Sequence, residues 1–222
     1  LLARSGLLTL YSSEYGEIAK IEVGNGDKRQ TFHVHKGLLS FYSGYFRAAL
    51  EGPWTEPSSG VINLETEDPL VFERFFLWLY TNRITDDTLK KTHTIIIDLW
   101  LFADCRNIPL LMNEMINALH LRIANSWMLP LDCLNTIYMS TTEESALRRM
   151  LTWSISRTMD RKLLEGVHGN KWRREALVEV LKMLVDTRGE ASLTKGQYKT
   201  TSMCPLYHVH EEGVSCTEKV GS

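Results

Sequence analysis

The residue types best suited to chemistry gather near the C-terminal end, where Cys204, His208, His210 and Cys216 lie close together in the chain. Two thiols and two imidazoles are the donor set of a tetrahedral zinc ion, although the spacing, C-x3-H-x-H-x5-C, is not that of the common zinc finger. His208 and His210 stand two apart, and they point the same way only if the backbone between them is extended. A metal held there would turn binding energy into folding energy for a polar segment. The alternative is a tail in which these residues occur by chance. Zinc is the single cofactor the sequence offers, with these four side chains as its ligands.

Other reactive types fit structural roles. Cys105 and Cys133 sit in apolar, helix-like stretches without a local histidine to act as base, so both read as packed thiols rather than nucleophiles. Glu65, Glu67 and Asp68 precede a helix, where carboxylates suit the free amides and the dipole. Gly24-Asn25-Gly26 is a turn, not a phosphate cradle, because no helix opens after it. His33 reads as a surface strand residue. No enzyme emerges from these residues.

A chain of 222 residues, 44% apolar and 23% charged, has the makeup of a globular protein with a sizeable core. Its net charge of −2 lacks the basic excess of a domain that grips a phosphate backbone. Arg148-Arg149, Arg161-Lys162 and Arg173-Arg174 are spread along helical stretches as solvated faces. Four cysteines without a disulfide-like pattern point to a reducing, intracellular setting, cytoplasm or nucleus. No window approaches a membrane span. The opening residues 1–8 are too short and weakly apolar for a signal peptide.

The elements that would position these groups follow from periodicity. Residues 1–17 are irregular. Ile18–Val23 alternates, breaks at Gly24-Asn25-Gly26-Asp27 and resumes at Thr31–His35, which predicts an antiparallel hairpin. Tyr42, Tyr45, Phe46 and Leu50 recur at helical spacing, with Ser43 placed to cap. Val61–Leu64 is a third strand. Asp68-Pro69 opens a helix whose inward stripe is Phe72, Phe75, Phe76 and Leu79; on that phase Phe76→Ala costs about 3–5 kcal/mol. Ile96, Leu99, Trp100 and Ala103 mark the next helix, and Leu111, Met112, Met115, Leu119 and Ile123 the one after Pro109. Pro130 restarts a short helix. Thr141-Thr142-Glu143-Glu144 offers a capping box ahead of Leu147, Leu151 and Ile155. Trp172–Val185 is amphipathic, and 187–222 turns polar and reads as a flexible tail.

Several of these segments carry a resemblance. Phe32-His33-Val34-His35-Lys36-Gly37-Leu38-Leu39-Ser40, running into Tyr42-Ser43-Gly44-Tyr45-Phe46, resembles the "F-x-V-H-K-x-x-L-x-x-x-S-x-x-F" core of BTB/POZ domains. Asp68-Pro69 through Phe72-Glu73 to Leu79-Tyr80-Thr81 resembles the family's "D-P-x-x-F-E-x-x-L-x-x-L-Y-T". Val61–Leu64 is similar to its preceding strand, and Ala103-Asp104 with Ile108-Pro109-Leu111 to its "A-D-x-x-x-I-P-x-L" junction. The flavour of Trp78-Leu79-Tyr80-Thr81 is that of stand-alone fungal members.

The resemblance implies an α+β fold: a small three-stranded sheet against a helical cluster over 18–125, a C-terminal helical extension over 126–186, then the tail. It implies a protein–protein interaction module with protein partners, a homodimer, and recruitment of targets to a cullin-based ubiquitin ligase. His35 and Lys36, at a strand-to-helix handover, match either a purely structural junction or the charged pocket that BTB dimers place near their groove. Where the family often has Asp-Val at the first strand, this chain has Glu17-Ile18. Trp54, Trp78 and Tyr80 belong to an aromatic excess over 52–82 that either anchors an interface or is covered by the C-terminal helices. The rival reading is a zinc-dependent interaction or nucleic-acid module using the Cys/His tail.

Overall fold

The structure, a computed structural model, describes residues 15–51, 61–84, 92–165, 171–187 and 192–210. Strand β1 (Ile18–Val23) runs between an antiparallel β2 (Gln30–His35) and a parallel β3 (Val61–Leu64). Its register sets Ile18 opposite His35 and Val23 opposite Gln30. Alternation sends Ala19, Ile21 and Val23 into the core. Lys20 and Glu22 face the other way, where Glu22 takes ion pairs from Lys20 and Arg29. At the predicted turn Gly24 has φ +80°, and a Cβ there would meet Pro69 Cγ at 2.9 Å. Only glycine suits both demands.

Helix α1 (Lys36–Tyr42) breaks at Ser43 before α2 (Gly44–Glu51). The Ser43 hydroxyl accepts from the Phe46 amide at 3.1 Å, capping α2, and donates to the Arg106 carbonyl at 2.7 Å. Gly44 lies so close to Asn107 that a Cβ would sit 2.8 Å from Nδ2. Helix α3 (Pro69–Thr81) opens as expected, with the Asp68 carboxylate accepting from the Leu70 amide at 2.8 Å. Its buried arc is Val71, Phe72, Phe75, Trp78 and Leu79. Phe76, expected in that stripe, is instead half-buried at its margin. Its ring meets Phe32 at a centroid distance of 5.9 Å and Tyr80 at 5.0 Å.

Helices α4 (His93–Cys105) and α5 (Pro109–Ser126) pack on one another and bury all the residues their periodicities mark. Cys133 is buried, whereas Cys105 is exposed, because it ends α4 beyond the last inward turn. Where α4 ends, buried Arg106 pairs with Glu67 at 2.7 Å and lies over the Phe102 ring at 4.0 Å. Glu67, expected to serve a helix dipole, therefore ties the β3–α3 connection to the end of α4.

The extension comprises α6 (Leu134–Ser140), α7 (Ala146–Thr158) and α8 (Arg174–Asp186). The capping box expected at 141–144 is absent. Helix α7 starts after Ser145, and the Thr141 hydroxyl donates to the Ile137 carbonyl at 2.6 Å while accepting from Arg148 Nε at 2.8 Å. Buried Arg148 also donates to the Tyr138 carbonyl at 2.8 Å and stands 3.6 Å from the Glu179 carboxylate, which takes the Tyr138 hydroxyl at 2.6 Å. Burial, then that contact with Glu179, pushes the Tyr138 phenol up.

The flexible reading of the tail is corrected over 192–210. Helix α9 (Lys195–Thr200) opens with a capping box between Thr194 and Gln197, and a single turn, α10 (Cys204–Tyr207), follows. Tyr198 is fully buried, Met203 and Tyr207 nearly so, against α5 and α7. Three apolar anchors among polar neighbours suffice to dock the segment. No helix among the described residues is long and apolar enough to cross a membrane.

Candidate functional site

The handover from β2 to α1 gathers charged and aromatic groups from three places in the chain. His35 ends β2 and occupies the cap position of α1. Its amide donates to the Tyr80 hydroxyl at 3.2 Å, and its Nδ1 lies 2.8 Å from the same oxygen. The Tyr80 hydroxyl thus engages both the backbone and the ring of His35. The Tyr15 ring covers His35 at a centroid distance of 5.3 Å.

Beside it the Lys36 ammonium pairs with Glu17 at 2.7 Å, while the Lys36 amide donates to the Glu17 carbonyl at 2.8 Å. That lysine holds the Glu17 carboxyl below its usual range, first by the hydrogen bond and then by charge. The Glu17 side chain is 84% exposed, so the pair contributes little to stability. Ile18, opposite His35 in register, is 58% exposed, and Tyr80 39%. An exposed apolar residue, a tyrosine and an exposed ion pair thus lie side by side at this handover. They offer hydrogen bonds and charge, not a cleft with a nucleophile.

Of the residues singled out from sequence, His35, Lys36 and Tyr80 thus come together, joined by Glu17. Trp78 does not. It is 1% exposed, packed edge-on against Tyr42 at 5.1 Å, and its indole N–H donates to Glu114 at 2.8 Å. It is a core residue and not an interface anchor. Trp54 lies outside the described residues. Sequence reasoning missed Arg106, whose only signal was a charged residue between two apolar helices.

The second cluster is at the C-terminal end. Cys204 Sγ lies 3.5 Å from His210 Nε2, and the ligand atoms of Cys204, His208 and His210 all fall within 4.8 Å of one another. His208 Nε2 contacts Asn117 Oδ1 on α5 at 2.9 Å. Burial, with the charge of His210 next, pushes the His208 imidazole down to about 4. Cys216, the expected fourth ligand, lies outside the described residues.

A family model for the BTB/POZ domain matches residues 19–119. Those residues are a BTB/POZ domain. The match takes in the sheet, α1 to α4 and the first part of α5, which continues to Ser126. It includes His35, Lys36 and Tyr80 and leaves the Cys/His cluster well outside. No curated protein sequence matches the chain. The BTB/POZ domain makes this chain a protein–protein interaction module with protein partners.

Proposed function

We propose that this chain is an intracellular adaptor without catalysis of its own, whose BTB/POZ domain self-associates and recruits targets to a cullin-based ubiquitin ligase. The observation that carries the reading is the surface where Ile18 and Tyr80 stand exposed beside the Glu17–Lys36 pair. An apolar and aromatic centre rimmed by charge is the usual anatomy of a protein contact. In a two-fold dimer the same patch meets itself, and Glu17 of one copy can exchange into a pair with Lys36 of the other at little expense, because the pair is exposed.

The test is the solution mass by light scattering, for the chain alone and with a cullin N-terminal domain. The expected result is a dimer that forms a stable complex with the cullin domain. Lys36→Glu shifts the dimer toward monomer, and adding Glu17→Lys in the same chain restores it. A monomer at micromolar concentration that ignores the cullin domain overturns the adaptor reading and leaves the BTB/POZ domain standing.

A further inference from the structure

We infer that Cys204, His208 and His210 form a zinc site that clasps the C-terminal segment to helix α5. In a tetrahedral site with Zn–S near 2.3 Å and Zn–N near 2.0–2.1 Å, a thiolate sulfur and an imidazole nitrogen stand about 3.5 Å apart. Cys204 Sγ and His210 Nε2 already stand 3.5 Å apart. A ring nitrogen of His208 lies within 4.8 Å of both, so modest side-chain rotation brings the three residues onto one ion.

Two features of the backbone aim these side chains. His208 is extended, with φ −79° and ψ 145°, and the His208 and His210 rings lie 5.9 Å apart. The Asn113 carboxamide then grips the peptide between them: its Nδ2 donates to the Val209 carbonyl at 2.8 Å and its Oδ1 accepts from the Val209 amide at 2.7 Å. One helical turn on, the Asn117 oxygen accepts from His208 Nε2, and in the proposed site the metal is taken by Nδ1. A hydrogen bond from the non-ligating nitrogen to a fixed acceptor is the usual support of a metal-bound histidine. Sulfur and imidazole together favour zinc over magnesium or calcium, which take oxygen donors. On binding, the Cys204 thiol releases its proton to solvent, an S–Zn bond forms, and no electrons are transferred. Solvent completes the coordination. The ion joins the segment's two ends, α10 and the extended 208–210, so its affinity adds to the docking of the segment.

The experiment uses the full chain, stripped with chelator and titrated with cobalt(II), then zinc. The expected result is one equivalent of cobalt with a thiolate-to-metal charge-transfer band in the near ultraviolet and the visible bands of a tetrahedral ion, both bleached by zinc. Zinc also raises the melting temperature. Cys204→Ser removes the charge-transfer band and the thermal shift, with the metal-free variant melting like metal-free wild type. Asn117→Ala retains the bands but weakens zinc about 10–100-fold. Absence of a saturable cobalt spectrum in the wild type overturns the site. So does an equivalent bound with the same spectrum by Cys204→Ser, which would assign the metal to other residues.

Discussion

Replacing Tyr198 by Ala asks whether residues 192–210 belong to the folded unit. The side chain is fully buried, with its ring 4.4 Å from His120 and 5.5 Å from Trp153. A buried aromatic removes roughly 150–250 Å² from water, which at ~25 cal/mol per Å² is about 4–6 kcal/mol. Its hydroxyl also hydrogen-bonds Ser154 Oγ at 2.8 Å, a net contribution of about 1 kcal/mol. Large-to-small replacement of such a residue costs about 3–5 kcal/mol. The segment lies at the edge of the fold and can detach without the rest unfolding, so the global loss is capped at what its docking contributes. Two readouts are therefore needed. Urea denaturation gives the global loss, and hydrogen exchange at the amides of 195–207 reports docking. We expect Tyr198→Ala to lower stability by up to about 3–5 kcal/mol and to make those amides exchange fast. Tyr198→Phe should lose only about 1 kcal/mol and keep them protected. A Tyr198→Ala protein with an unchanged midpoint and protected amides refutes the docking.

Two further predictions rest on burial. Phe75 is fully buried and Phe76 is not, so Phe75→Ala should cost about 3–5 kcal/mol and Phe76→Ala clearly less; equal losses by urea denaturation would show that the helix phase is wrong. His120 is buried, and burial pushes its imidazole below the ordinary value near 6.5. The unfolded chain then binds the proton more readily than the folded one, so the stability due to a neutral His120 is complete above about pH 6.5 and lost as pH falls below it. His93 is shifted the same way by burial and by Arg122, so the slope of stability between pH 7 and 5 should shrink, not vanish, in His120→Leu; an unchanged slope would remove His120 as a contributor.

What was legible in the sequence was whatever periodicity and local chemistry encode. The strand alternation, the Asp68-Pro69 start and the stripes of α4 and α5 all come from contacts within a few residues. Ser43 was readable as a cap because a hydroxyl before an apolar run has few other roles. Its second bond, to the Arg106 carbonyl, was not readable, because its partner lies 63 positions away. The same distance effect hid Arg106–Glu67 and Arg148–Glu179, each composed of charges that look like solvated surface until three elements close around them. The 192–210 segment misled for a different reason. Its composition is polar, and docking depends on three side chains, Tyr198, Met203 and Tyr207, too sparse to make a stripe. At the capping box the spacing alone was ambiguous: Thr141 had a nearer partner in Arg148, while Thr194 and Gln197 formed the box instead.

Helix geometry also decides how much of the β2–α1 handover is left for a partner. Residues 78 and 80 are about 200° apart around α3, so once Trp78 turns into the core Tyr80 must turn out of it. Tyr80 does so directly beneath His35, and its hydroxyl engages both the amide and Nδ1 of that residue. The structural account of His35 is therefore sufficient for its backbone and for one ring nitrogen. It does not extend to the Lys36 ammonium, which pairs with the exposed Glu17 carboxylate at 2.7 Å. Exposed pairs of this kind add little to folding, and their charges exchange readily for those of a partner. The handover thus divides: His35 and Tyr80 fix the start of α1, and Glu17, Lys36 and Ile18 are the part that a second protein would read in the proposed dimer.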